Sequence, residues 1–230
     1  MIGRLLLVRH GVTTWNREGR FQGHLDSPLD PAGELEAGAL AERLVGEFGG
    51  EIALASSPLQ RAVATAEIIR QALTADGRPV RMTLEPGLME LGQGEWEGRT
   101  HAELAETDAE RYRVWAATGG WHEPPGGEPA PAAATRAVAA VERLVTAADQ
   151  DGAAEALCCV SHGGILRLIA GRLTGTPDDR AWGLDVDNAS LSVLDRTPSG
   201  WRIATWNDTS HLAPEMPAQD RRAEGSPRAL

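Results

Sequence analysis

The stretch Leu5-Leu6-Leu7-Val8-Arg9-His10-Gly11 decides the fold class. Its apolar run lacks the polar alternation of a half-solvated strand and stops at a polar turn, as a strand buried on both faces of a parallel sheet does. The layout returns where Ala156 to Val160 runs into Ser161-His162-Gly163-Gly164, and Ile52 to Ala55 forms a third such run. Helical spacing fills the gaps. Asp30-Pro31 opens a predicted helix whose apolar face is Leu35, Ala39, Leu40, Leu44 and Phe48, with Gly49-Gly50 as its stop. Ser57-Pro58 reads as the cap and first position of a helix through Ile69, which puts Arg61 near its first turn.

Further along, a strand is expected near Val80 to Leu84 and a helix over Thr135 to Ala148. Another helix is expected from Ile165 to about Leu173, and a late pair of strands over Ser190 to Asp195 and Trp201 to Trp206. The segment 91–131 is rich in Gly, Trp and Pro and carries the capping-box pattern Thr100-His101-Ala102-Glu103, so it reads as a small inserted lid with one helix. Strands alternating with helices predict an α/β fold, a three-layer α/β/α sandwich around a mostly parallel central sheet. Residues 1–213 are expected to form one domain and 214–230, without apolar periodicity, a disordered tail.

At 230 residues, 42% apolar and 24% charged, the chain has the composition of an ordinary globular protein, and no apolar run is long enough for a membrane helix. The first residues lack the basic start and small-residue cleavage site of a secretory signal, so a cytoplasmic location is expected. Cys158 and Cys159, adjacent in an apolar run, fit buried packing in a reducing compartment. A net charge of -11 disfavours nucleic-acid binding and leaves a small phosphorylated metabolite as the expected partner. All 22 basic side chains are Arg, which excludes a Walker-type phosphate loop, a Schiff base and a Lys general base. The six histidines show no paired metal-ligand spacing, and His24, His101, His122 and His211 read as surface or capping residues.

Three strand ends carry chemistry. A neutral imidazole is a nucleophile near pH 7, and His10 beside Gly11 can approach a phosphorus atom closely. A phosphoryl group in flight spreads charge over three oxygens, and Arg9, Arg61 and His162 are placed to hold them. The departing alkoxide needs a proton, for which Glu90 is the candidate acid. Taken alone, His10 equally reads as a hydrogen-bonded core histidine, Arg9 and Arg61 as ion-pair formers, and Glu90 as a solvated carboxylate. Trp15, Trp96, Trp115 and Trp121 read as packing residues first and as cavity lining second.

The order of the motifs changes that balance. Arg9-His10-Gly11-Val12-Thr13-Thr14-Trp15-Asn16 resembles the signature of the histidine phosphatase superfamily, also called the phosphoglycerate mutase-like family. The likeness continues through Phe21-Gln22-Gly23, Leu29 to Gly33, Ser56 to Ala62, Leu88 to Gly98 and Ser161-His162-Gly163-Gly164, in the family's order. The resemblance implies that His10 is phosphorylated, that Arg9, Arg61 and His162 hold the phosphate, and that Glu90 is the acid. It also implies that Asn16 and Gln22, with Gly23 and Gly163 of the same motifs, contact the substrate, and that neither metal nor cofactor is needed. Val12 and Pro129 depart from the family's usual Glu or Gln and Ser or Thr. The function implied is a phosphomonoester phosphatase; apart from the resemblance, the chain is expected to be a monomer or a homodimer. The alternatives are a phosphoglycerate mutase-type phosphotransferase, which the short lid disfavours, and a non-catalytic binding module of the same fold.

Overall fold

The structure, a computed structural model, describes residues 1–78 and 80–212; the expected disordered tail at 214–230 lies outside the described residues. Its strands are β1 (Arg4–Arg9), β2 (Ile52–Ser56), β3 (Met82–Leu84), β4 (Ala156–Ser161), β5 (Leu191–Thr197) and β6 (Gly200–Asp208). The helices are α1 (Thr14–Arg17), α2 (Pro31–Glu47), α3 (Gln60–Ala75), α4 (His101–Thr107), α5 (Ala109–Ala117), α6 (Ala130–Asp151), α7 (Gly163–Thr174) and α8 (Asp178–Trp182). One sheet of order β3-β2-β4-β1-β5-β6 joins all the strands. Pairing is parallel from β3 through β1 and antiparallel at β5 and β6.

The uninterrupted apolar runs have a direct cause. Along β1, Leu5 and Leu7 face a core shared with α6 and α7, whereas Leu6 and Val8 face a second core with α2 and α3. Both faces are dry, so no position is left for a polar side chain. Each buried leucine contributes about 1.5–3 kcal/mol. Cys158 and Cys159 follow the same alternation, one to each core, and both are buried and free. Among the described residues no helix is long and apolar enough to cross a membrane.

Helix α2 starts as expected, with Asp30 capping the Gly33 amide and Pro31 in the first turn. Its buried face, however, is Gly33, Glu36, Ala37, Leu40, Ala41 and Leu44, and Leu35 is 73% exposed. Small residues let this helix sit tightly on the end of β1. A Cβ on Gly33 would lie 2.1 Å from the Val12 carbonyl oxygen, and one on Gly11 would lie 2.4 Å from that of Gly33. Ser57 is not the cap of α3, which begins at Gln60 after Leu59. The segment read as an inserted lid with one helix contains two α-helices, α4 with the expected Thr100 capping box and α5 beyond it. It gives way to α6 at Ala130, before the expected boundary at 131.

Candidate active site

Sheet register brings distant residues to one level. Arg9 pairs with Ser161 and Ser56 with Val160, so His10, Ser57 and His162 emerge side by side from the adjacent ends of β1, β2 and β4. The rings of His10 and His162 lie 5.1 Å apart, centre to centre. Both are almost fully buried, as are Arg9 and Arg61.

Local bonds fix each group. His10 Nδ1 lies 2.8 Å from the Gly11 carbonyl oxygen, which can only accept, so the neutral ring carries its proton on Nδ1 and its lone pair on Nε2. Burial, then the charges of Arg61 and Arg9, hold this imidazole well below the ordinary histidine range, which keeps it neutral. Asn188 Nδ2 donates to the His10 carbonyl at 3.0 Å and braces the strand end. The Gly11 amide donates to Thr65 Oγ1 at 3.1 Å, and the Val12 amide to Glu36 Oε2 at 2.9 Å. Burial is the largest influence on Glu36 and raises its carboxyl pKa.

Arg61 is anchored by Asp26 at 2.9 Å and by the Gly23 carbonyl at 2.8 Å. Gly23 adopts a left-handed backbone here (φ 53°), which turns that carbonyl back toward the guanidinium. Arg9 donates through Nη1 to the Val186 carbonyl at 2.6 Å. Burial and the neighbouring Arg167 lower the Arg9 pKa to about 10, still charged at neutral pH. After these bonds, Arg9 Nε, Arg61 Nε and His162 Nδ1 remain buried with no hydrogen-bond partner. Such nitrogens are costly unless a ligand satisfies them.

Ser57, read from the sequence as a helix cap, meets His162 instead. Its Oγ lies 2.8 Å from His162 Nε2 and accepts from the Leu59 amide at 3.3 Å; a hydroxyl proton turned to Nε2 selects the tautomer that leaves an N–H for an anion. His162 then carries its own proton on Nδ1, the unpartnered nitrogen. Burial, followed by the charge of Arg61, lowers the pKa of this ring as well.

Glu90 stands at the amino terminus of α7. Its carboxylate oxygens accept from the amides of Leu91 at 3.1 Å, Gly164 at 3.2 Å and Ile165 at 3.3 Å. Arg9, His10, Asn16, Gln22, Gly23, Arg61, Glu90 and Gly163 all line one pocket. His162 lies behind it, against His10. Asn16 also forms a capping box with Thr13, whose hydroxyl reaches Gln22 Oε1 at 3.1 Å.

The same pocket includes residues that the motifs did not single out, Arg20, Arg167 and Trp182. His101, expected at the surface, lines it too, with its ring 4.5 Å from that of Phe21. Of the tryptophans, Trp115 lines the pocket, and Trp96 is buried with Phe21 and Leu104. Among the described residues no cluster of His, Cys, Asp and Glu is arranged to hold a metal ion.

The profile of the histidine phosphatase superfamily (branch 1) matches residues 5–209. The chain belongs to this superfamily. It is 34% identical to a metal-independent phosphoserine phosphatase of Arabidopsis thaliana, an alignment covering 92% of this chain and 84% of that protein. It is 33% identical to the adenosylcobalamin/alpha-ribazole phosphatase of Escherichia coli K12, with 84% of this chain and 89% of that protein covered. The structure of a mycobacterial glucosyl-3-phosphoglycerate phosphatase in complex with VO3 superimposes with a TM-score of 0.76 at 31% identity, covering 89% and 98% of the two chains. A probable phosphoglycerate mutase and a phosphoglycerate mutase-like protein are also among the relatives of this chain.

Proposed function

We propose that this histidine phosphatase hydrolyses phosphate monoesters of a small metabolite without a metal, through a phosphohistidine on His10. The observation that carries the reading is the set of buried, unpartnered nitrogens Arg9 Nε, Arg61 Nε and His162 Nδ1 grouped around the His10 ring. A phosphoryl group satisfies all of them, and its charge is met by fixed donors in a water-poor site.

In the first step the Nε2 lone pair of His10 attacks phosphorus, the P–O ester bond breaks, and the leaving oxygen takes a proton from Glu90. That proton enters with the ester's own phosphate group and passes to the leaving oxygen through Glu90. The hydrogen bond from Nδ1 to the Gly11 carbonyl steadies the positive ring as the N–P bond forms. In the second step water attacks phosphorus while Glu90, now a carboxylate, takes the water's proton, and inorganic phosphate leaves. Asn16, Gln22 and the Gly163 backbone add neutral contacts. In this reading residues 1–213 work as one domain, with 91–131 as the lid over the ester.

The test is hydrolysis of a chromogenic aryl phosphate in excess chelator by the wild type and His10→Ala. Activity that survives chelator and falls by at least about a thousandfold in the variant is the expected outcome. Activity retained in His10→Ala, or lost to chelator, overturns the mechanism. Phosphate passed to a second hydroxyl of the substrate without release of inorganic phosphate would instead identify a mutase.

A further inference from the structure

Outward from the phosphate cluster the pocket is walled by rings. Phe21, His101, Trp115 and Trp182 all face it. The turn Gly119-Gly120 holds the two indoles at its rim. Trp182 Nε1 donates to the Gly119 carbonyl at 2.9 Å, and a Cβ on Gly120 would lie only 3.0 Å from the Trp115 ring. Both glycines are left-handed (φ 64° and 82°), so the turn is built for this close approach. The His101 ring lies 5.7 Å from that of Trp115, and its Nδ1 is within 3.1 Å of the Tyr112 hydroxyl, which orients it.

The charges of this outer region are already answered. Arg20 donates to Glu18 at 2.5 Å and lies 3.8 Å from Glu103. The negative charges of Glu90, Asp185 and Asp187 act on Arg167, and its guanidinium lies 5.6 Å over the Trp182 ring. A second anionic group on the substrate would have to compete with carboxylates already in place. A flat, uncharged group would instead cover aromatic surface at no such cost.

The geometry points to a leaving-group subsite for an uncharged planar ring, so that the favoured substrate is a phosphate monoester whose alcohol half carries an aromatic or heteroaromatic group against Trp115 and Trp182. The inference rests on the phosphate cluster being the docking point of the ester. It goes further in setting this chain apart from a phosphatase tuned to a carboxylate-bearing alcohol.

Three alkyl esters with similar leaving oxygens separate binding from bond reactivity: ethyl phosphate, 2-(1-naphthyl)ethyl phosphate and O-phosphoserine. The naphthylethyl ester should exceed ethyl phosphate in kcat/KM by about tenfold or more, and O-phosphoserine should not. In Trp182→Leu the ratio of naphthylethyl to ethyl ester should fall toward one, a readout that general loss of folded enzyme does not move. A naphthylethyl ester no better than ethyl phosphate, a preference for O-phosphoserine, or an unchanged ratio in Trp182→Leu overturns the subsite. Calorimetric titration of the same esters into His10→Ala gives the preference without turnover. Selective binding there beside a wild type that hydrolyses none of them would refute the phosphatase reading and leave the subsite standing, whereas equal binding would refute the subsite.

Discussion

At the scale of single residues, proton placement decides what the paired imidazoles do. His10 has its proton fixed by a backbone carbonyl, but His162 depends on one hydroxyl, that of Ser57. Without it, His162 is free to hold its proton on Nε2 and to face the phosphate with a lone pair. Ser57→Ala should therefore lower kcat/KM by about tenfold, the cost of one buried hydrogen bond, and Ser57→Thr should restore most of it. Nitrogen-15 NMR of the ring reads the tautomer directly; an Nδ1–H signal unchanged in Ser57→Ala would remove Ser57 from this role. The sequence displayed His10, Arg9 and His162 because strand, turn and histidine are contiguous there. It concealed Ser57, because Ser before Pro is also a favoured way to start a helix, and only the register of β2 against β4 sets it beside His162.

Elements position the proposed acid. The amino terminus of α7 offers the amides of Gly164 and Ile165 to Glu90, and the absent side chain at Gly164 makes room for it. A Cβ there would lie 2.7 Å from Leu91 Cδ1, 2.8 Å from Glu90 Oε1 and 3.2 Å from the Trp182 ring. All of these are side-chain atoms, so Gly164→Ala should leave the fold intact at a net cost of up to about 2 kcal/mol, a clash of about 1–3 kcal/mol partly offset by about 1 kcal/mol of helix propensity. The displaced carboxylate should lower kcat by about tenfold or more, measured beside thermal unfolding of the same variant. An unchanged kcat would show that this helix end does not place the acid. The order and type of the strands and the longer helices were legible from apolar period and caps, including the helix at Pro31 and the Thr100 capping box, whereas the short α1, α5 and α8 were not. The full buried face of α2 was not legible either, because beside Leu40 and Leu44 it holds Gly33 and Ala37, which carry little hydrophobic signal, and Glu36, which accepts from the Val12 amide, while Leu35 turns to solvent. The wall of the pocket was equally hidden, since α8 and the Gly119-Gly120 turn reach the site only through the fold.

For the molecule as a whole, the price of this site is two neutral imidazoles held among arginines. The sheet order that puts β4 between β2 and β1 gathers them, and no local pattern in the chain specifies that order. His10 and His162 both have pKa values well below the ordinary 6.5, chiefly through burial and then through Arg61. Below pH 6.5 the unfolded chain therefore binds protons that the native state refuses, and stability must fall as pH falls, whereas above that range the difference vanishes. Each histidine contributes a slope of up to about 1.4 kcal/mol per pH unit. Guanidinium unfolding at pH 7.5, 6.0 and 5.0 should show this loss, and the His10→Ala, His162→Ala double variant should show a shallower one. Parallel slopes would mean that the two rings titrate alike in the folded and unfolded chains. Saturating inorganic phosphate adds a sharper test. An anion seated beside both rings favours their protonated forms, so the wild type with phosphate should lose less stability between pH 6.5 and 5.0 than without it. Phosphate that stabilises equally at every pH would bind elsewhere, and the cluster around His10 would have to be read as packing rather than as a site.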